Sequence, residues 1–328
     1  MLPVFVLASV VILGATTIMG IVTNSLIVVV NVADKIKGKS FNPSDLILVT
    51  LGMSNITFQF TMTVNDFSII LWSDLYFSDA VYGTFKALLY STIFASFWFT
   101  VCLSVYYCLQ IVIFTHPFLV RLKLGMSRLV PFFLGASVFT SLVISIPALW
   151  SIYKDPQNGN FSSNQSLKIE LPKLSAVYLF SSNIIGCSLP LMLVGISNSL
   201  ILKSLISKST MLEKNKSDVY SPRTEARERA ARTVGCLLLL YMAFYIFQIL
   251  MFINFFPPSS PGFCTCLMAI YVYSPLQSII LIFGSPKLKK TLLNLLGFLK
   301  KCGNEQKETP KILFIKLRVQ RTLNCKES

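Results

Sequence analysis

The sequence predicts an all-α membrane protein: a seven-transmembrane helix bundle followed by a short amphipathic helix. Three observations carry that prediction. The 328 residues are 54% hydrophobic and only 13% charged, whereas soluble domains carry about 25% charged residues. The apolar residues fall in seven long runs, each near the ~20 residues a helix needs to cross a hydrocarbon core. The cations avoid those runs and gather on alternate connections, which is the bias of a cytoplasmic face.

Residues 1–33 hold no charged side chain. The run lacks a basic start and is too long for the apolar core of a signal peptide. It reads as the first span, about 3–31, with almost no amino-terminal domain. Asp34, Lys35, Lys37 and Lys39 form a short loop. The second span, about 43–67, carries Asn55 in an apolar setting. Asp66, Asp74 and Asp79 mark an acidic connection.

The third span, about 87–116, organises the chain. From Ala87 to Val120 there is no Asp, Glu, Lys or Arg. Ser96, Thr100, Ser104 and Tyr107 recur at three- and four-residue steps and so share one helical face. A helix facing only lipid gains nothing from such a stripe. A helix at the centre of a bundle packs and hydrogen-bonds through it. His116-Pro117, Arg121 and Lys123 end the stretch at a membrane face.

The fourth span, about 129–152, contains Pro131 and Pro147, which membrane helices tolerate. The polar connection 153–173 holds two glycosylation sequons, at Asn160 and Asn164. The fifth span, about 174–206, has Pro190 as its expected kink. The charged loop 207–231 has a helical second half. The sixth span, about 230–255, ends at a Pro-Pro-Ser-Ser-Pro-Gly turn, and the seventh runs about 263–284. Residues 1–285 thus form the bundle. Residues 286–300 read as a basic amphipathic helix on the inner membrane surface, and 301–328 as a basic cytoplasmic tail.

Charge sets the orientation. Segments 34–45, 121–128, 203–232 and 287–328 hold 25 of the 29 Lys and Arg residues. That places the amino terminus outside, the carboxyl terminus in the cytoplasm, and the chain in the plasma membrane. The net charge of +15 is therefore a property of the membrane face, and a nucleic-acid partner is excluded.

Other chemistry is poorly served. No span carries an ionisable residue near its middle, unlike ion-coupled transporters. The single histidine, His116, sits at a helix end. No nucleophile has a base in reach, no metal-ligand cluster exists, and no cofactor or enzymatic activity is expected. Cys102, Cys108, Cys187 and Cys236 lie in spans as small apolar residues. Cys264 and Cys266 read as a packing pair, and Cys302 is a candidate lipidation site. Binding followed by conformational change is the remaining broad option.

The motifs then resemble a known family. The third span holds Trp98-Phe99, Cys102-Leu103, Tyr107, Leu109, Ile111, Phe114-Thr115-His116-Pro117 and Leu122-Lys123. The first holds Gly20, Asn24-Ser25, Ile27, Asn31 and Lys37-Gly38. Pro190 and Ser204-Leu205, Leu238 to Tyr241, then Ser278, Leu281-Ile282, Gly284 and Lys287-Leu288-Lys289 follow in order. Together they resemble the bitter taste receptors, the type 2 taste receptor family of G-protein-coupled receptors, over about residues 20–290. Departures point to a divergent member from outside the mammals. Asn55 stands where the family usually has Arg, Gln277-Ser278 where it has His-Ser, and Lys208 where it has a basic His. Two frequent agonist contacts, a Trp and an Asn, fall on Leu89 and Ile93, which implies a more apolar pocket.

The resemblance implies a small-molecule agonist entering from outside and a heterotrimeric, gustducin-like G protein docking inside. It implies a ligand site at Asn65, Leu89, Ile93, Phe97, Asn183, Phe244, Gln248, Met268 and Tyr271. The implied activation switch comprises Tyr241, Tyr107, Gln277 and Ser278. His116, Arg121, Lys123, Lys203 and Lys208 face the G protein, with attraction to lipid headgroups as the competing role of these five. A vomeronasal type 1 pheromone receptor, a small-molecule transporter and a membrane-bound enzyme are the alternatives.

Overall fold

The computed structural model describes residues 4–39, 42–113, 116–154, 172–214, 222–253, 255–257 and 260–298. The sequons at Asn160 and Asn164 and the tail 301–328 lie outside the described residues. In chain order the first unit contains α1 (Val4–Ile36), α2 (Pro43–Leu71), α3 (Ser73–Tyr76), α4 (Asp79–Ile111) and α5 (Pro117–Ser145). A 3₁₀ turn (Ile146–Leu149) and two short strands, β1 (Ile152–Lys154) and β2 (Pro172–Leu174), come next. Then follow α6 (Ala176–Asn183), a π-helical segment (Ile184–Ser188), α7 (Leu189–Lys214), α8 (Pro222–Phe252) and α9 (Pro261–Gly284). Seven helical stretches are long and apolar enough to cross a membrane. In the second unit, Ser285–Ser328, residues 286–298 are helical.

Several element ends differ from the sequence expectation, each for a local reason. α1 runs on to Ile36, so Asp34 and Lys35 sit in its last turn; Lys35 suits the negative end of the helix dipole. α2 runs to Leu71, so Asp66 belongs to the helix and not to the connection. α4 begins at Asp79, eight residues early, with Asp79 in its first turn, where a carboxylate favours the helix start. α4 stops at Ile111, and His116 caps the next helix instead of ending this one. Pro117 explains that. It occupies the first turn of α5, where its missing N–H costs nothing, and it forces the preceding residue into extended backbone. The basic stretch 121–128 is consequently helical. α8 likewise begins at Pro222.

β1 and β2 pair antiparallel, with Ile152 opposite Leu174 and Tyr153 opposite Lys173. They mark one end of the bundle, the hairpin end, which also holds the α2–α4 and α8–α9 connections. α4 packs against α2, α5, α7 and α8, as its polar stripe predicts for a central helix. The outward faces are apolar: Phe60, Phe132, Phe139 and Phe180 are all more than 60% exposed. That inverts the soluble pattern and suits a hydrocarbon solvent.

The fifth span is broken where Pro190 requires it. A proline removes one backbone donor and clashes with the carbonyl four residues earlier, here Gly186. The π segment 184–188 lies immediately before the proline and absorbs the misfit. It also brings Gly186 against Phe94 of α4. A Cβ at Gly186 would lie 2.3 Å from the Phe94 ring, and Phe94 is fully buried and stacked on Tyr90 at 5.8 Å. Gly186→Ala should therefore lower stability by about 1–3 kcal/mol. Thermal unfolding of the purified protein checks this, and Phe94→Leu in the same chain should recover part of the loss.

Candidate functional site

The bundle centre is built from uncharged polar side chains on five helices. From α1, Asn24 donates to Gly20 O at 2.8 Å and to Ser274 Oγ at 3.3 Å. From α2, Asn55 donates to Asn24 Oδ1 at 3.0 Å and to Gln277 Oε1 at 2.7 Å. On α9, Gln277 Nε2 donates to Tyr241 Oη of α8 at 2.5 Å and to Thr100 Oγ1 of α4 at 3.4 Å. Thr100 and Tyr241 also share a hydroxyl–hydroxyl bond, and Ser96 pairs with Tyr273 Oη at 3.1 Å. Asn24, Asn55, Thr100, Tyr241 and Gln277 are all buried.

Two of the four expected switch residues, Tyr241 and Gln277, meet directly in this network. Ser278 is its neighbour and pairs with Thr23 of α1 at 2.6 Å. Tyr107 lies apart. It is half-buried and packs on apolar clusters that include Val234 and Ile201. It also borders a cavity of about 300 Å³ at the end of the bundle opposite the hairpin, with Tyr106, Gln110 and Arg227. Of the expected polar stripe, Ser96 and Thr100 join the network, whereas the buried Ser104 Oγ has no partner among the described residues.

Toward the hairpin end an aromatic layer covers the network. Phe97 lies 4.7 Å from Tyr241 and 5.8 Å from Phe244, and Phe244 lies 4.4 Å from Tyr273 (ring centroids). Phe97 and Phe244, both expected ligand contacts, are thus brought together. Ile93 is buried one turn further along α4, and Leu89 is half-buried. Met268 is half-buried on α9.

Further out, Asn65 and Tyr271 converge through a residue the sequence reading left in a loop. Tyr271 Oη donates to Asp66 Oδ2 at 2.5 Å, Asn65 Nδ2 donates to Asp66 Oδ1 at 3.0 Å, and Tyr76 Oη donates to Asn65 Oδ1 at 2.7 Å. Burial pushes the Tyr76 phenol up from its ordinary range, so it stays a donor. Lys86 acts electrostatically on Asp66 and lies 5.2 Å from the Tyr82 ring. Asn183 and Gln248 are separated from this cluster. They sit on α6 and α8, next to the π segment, where Cys187 Sγ donates to Gln248 Oε1 at 3.8 Å.

At the opposite end, His116, Arg121 and Lys203 are exposed. Lys123 is half-buried and donates to Gln110 O at 3.3 Å and Val112 O at 3.5 Å. It caps the final carbonyls of α4, a favoured place for a cation. The Lys208 side chain lies outside the described residues.

The reading of the sequence missed Asn24, Asp66, Tyr76, Lys86 and Tyr273 as site residues. A signal existed for Asp66: Asn55, Gln59, Thr63 and Asp66 recur at three- and four-residue steps and so define one polar face of α2. Tyr273 carried no such signal.

Seven apolar helices around an uncharged polar core, with an aromatic layer and a polar rim at one end, define a multi-pass membrane receptor. Residues 1–300 match the family model described as taste receptor protein (TAS2R), and the chain belongs to that family, the type 2 or bitter taste receptors that its motifs resemble. Members are receptors and not enzymes. The chain is similar to taste receptor type 2 member 40 of Gallus gallus, 28% identical over 291 residues, covering 87% of this chain and 93% of that protein. It is similar to taste receptor type 2 member 9 of Homo sapiens, 28% identical over 288 residues, covering 88% and 92%. Taste receptor type 2 member 119 of Mus musculus is 29% identical over 289 residues, covering 86% and 83%.

The network makes a quantitative prediction. Interhelical hydrogen bonds in membranes average only about 0.6 kcal/mol, but an orphaned buried partner costs about 1–3 kcal/mol. Asn55→Leu and Gln277→Leu should each destabilise by about that larger amount. The double variant should lose less than the sum, with a coupling of about 0.5–3 kcal/mol. Thermal unfolding of the four proteins of the cycle measures it.

Proposed function

We propose that the protein is a G-protein-coupled receptor for small bitter molecules, with its agonist site at the hairpin end of the bundle. One observation carries this reading. The expected contact residues Phe97 and Phe244 form the layer that rests on Tyr241, and Tyr241 is bonded into a network joining α1, α2, α4, α8 and α9. A ligand that displaces those rings bears directly on a device shared by five helices. The agonist must bind the active arrangement more tightly than the resting one, since equal affinity shifts nothing.

In this reading Asn65, Leu89, Ile93, Phe97, Asn183, Phe244, Gln248, Met268 and Tyr271 border the agonist. Asp66 and Lys86 join them as the charged rim. Tyr241, Gln277 and Ser278 carry the change across the bundle, and Tyr107 receives it beside the cavity at the far end. A heterotrimeric G protein of the gustducin type docks there, near His116, Arg121, Lys203 and Lys208. Lys123 positions the end of α4 for it. The cation count supports that end lying in the cytoplasm and the hairpin outside, with Asn160 and Asn164 glycosylated. The helix 286–298 lies on the inner leaflet, its Lys residues toward the headgroups.

Transfected cells carrying a promiscuous G protein, screened against a panel of bitter compounds, test the reading: calcium responses are expected to part of the panel and none in mock-transfected cells. Leu89→Trp and Ile93→Phe should shift agonist potency about tenfold or more at unchanged surface expression, since one pocket methylene alone is worth about 10–200-fold. Unchanged dose–response curves would remove both residues from the site. Asn160→Gln with Asn164→Gln should abolish the gel shift produced by enzymatic deglycosylation.

A further inference from the structure

Two buried side chains near the π segment each leave one amide atom without a partner among the described residues, an acceptor on one and a donor on the other. Asn183 and Gln248 are 7% and 4% exposed. Asn183 Oδ1 and Gln248 Nε2 have no hydrogen-bond partner among the described residues, so one unused acceptor and one unused donor are buried, not bonded to each other. Their setting is fixed. Asn183 ends α6, one turn before Cys187, whose thiol donates to Gln248 Oε1 at 3.8 Å. Beside it, Ser188 Oγ pairs with Tyr245 Oη at 2.7 Å, and Tyr245 lies one turn from Gln248 on α8. The thiol therefore holds the amide oxygen of Gln248 and leaves its nitrogen as the unused donor.

We propose that Asn183 and Gln248 form a polar subsite that reads a neutral hydroxyl group on the agonist. The proposal rests on the agonist reading above and names the chemistry that site selects. A hydroxyl donates to Asn183 Oδ1 and accepts from Gln248 Nε2, pairing both atoms with one group. A carboxylate has no proton for Asn183 Oδ1, and an ammonium has no lone pair for Gln248 Nε2. Formal charge is also absent from the two segments that carry Asn183 and Gln248: none lies between Lys173 and Lys203, and none between Arg232 and Lys287. A charged group would be desolvated there with no counter-ion on either segment. The ligand class is accordingly an alcohol on an apolar frame, matching the apolar Leu89, Ile93 and Phe97 side chains nearer the centre.

The test uses menthol, its methyl ether and p-menthane as probes on the full-length receptor. Wild type should prefer menthol to p-menthane by about tenfold to a hundredfold, the worth of leaving such groups unpaired. The ether accepts from Gln248 but gives Asn183 nothing, so it should fall between them. Asn183→Leu alone should abolish the alcohol-over-ether preference. Asn183→Leu with Gln248→Leu should bring the alcohol-over-alkane ratio close to one. Without any probe, the double variant should unfold about 2–4 °C higher, because two unpaired buried groups are gone. Three results would overturn the proposal: no alcohol preference in wild type, a preference retained in the double variant, or a double variant that unfolds lower, which would make the pair a structural element. A receptor that answers the bitter panel without the alcohol preference loses this subsite alone. One that answers nothing on the panel loses the wider reading.

Discussion

The structure depends on a constraint that hydrocarbon imposes on its centre: a polar group placed there is costly unless paired, and none can carry a charge cheaply. Amides and hydroxyls meet that constraint where carboxylates and ammonium groups do not. Asn55 is the clearest case. Its two donor hydrogens go to Asn24 on α1 and Gln277 on α9, so one short side chain fixes three helices. Gln277 repeats the device, accepting from α2 and donating to α8 and α4. Each bond alone is weak in a membrane. Their collective effect is to penalise any arrangement that leaves an amide behind, which specifies how five helices sit around α4.

Packing is arranged around that centre in a way that a soluble fold would not allow. Lipid is as apolar as Leu, so burial of aliphatic side chains gives little reason for helices to associate. The exposed phenylalanines of α2, α5 and α6 illustrate this, since they face outward at no cost. Close approach is achieved instead through small residues and interlocked rings. Gly186 admits the Phe94 ring, and Gly284 admits Thr233, whose side chain would lie 2.4 Å from an added Cβ. The π segment before Pro190 is part of the same economy. It converts a missing backbone donor into a local widening that seats Cys187 on Gln248 and Ser188 on Tyr245.

Much of this was legible in the chain, and the limits have physical causes. Seven spans followed from hydropathy and charge alone, because a backbone in lipid must pair internally and apolar runs of this length do so as helices. The centrality of α4 followed from Ser96, Thr100 and Ser104 on one face. Span ends were less legible. Hydropathy locates the apolar run, whereas helices continue into the interface for as long as their backbone pairs, as α5 does back to Pro117 and α8 back to Pro222. Asp66 was misplaced for that reason: a carboxylate reads as a loop residue until Tyr271 and Asn65 are brought to it from elsewhere. The partners of Asn55, which are Asn24 and Gln277, lie 31 and 222 residues away along the chain, separations over which spacing holds no information. Tyr273 was invisible because its ring reads equally well as lipid-facing or buried until the helix rotation is known.

The buried amides of the central network and those beside the π segment then differ in how completely they are paired, and the difference aligns with the proposed roles. At the centre, Asn24, Asn55 and Gln277 use both ends of their amides. Beside the π segment, Asn183 and Gln248 do not, although they too are buried. A protein selected for stability alone would replace the second pair with leucines, since an apolar pair of that size has nothing to leave unmet. Keeping them has a stability cost that a bound polar group offsets. The same low dielectric that makes the central network a strict determinant of the resting arrangement makes the incomplete pair a sensitive reader of what enters. On the proposed reading a hydroxyl arriving there gains two bonds, while its apolar frame lies toward Phe244 and Phe97, the second of which rests on Tyr241. Selectivity and transmission lie, on that reading, two turns apart on α8, with Gln248 choosing the ligand and Tyr241 reporting its presence to the other helices.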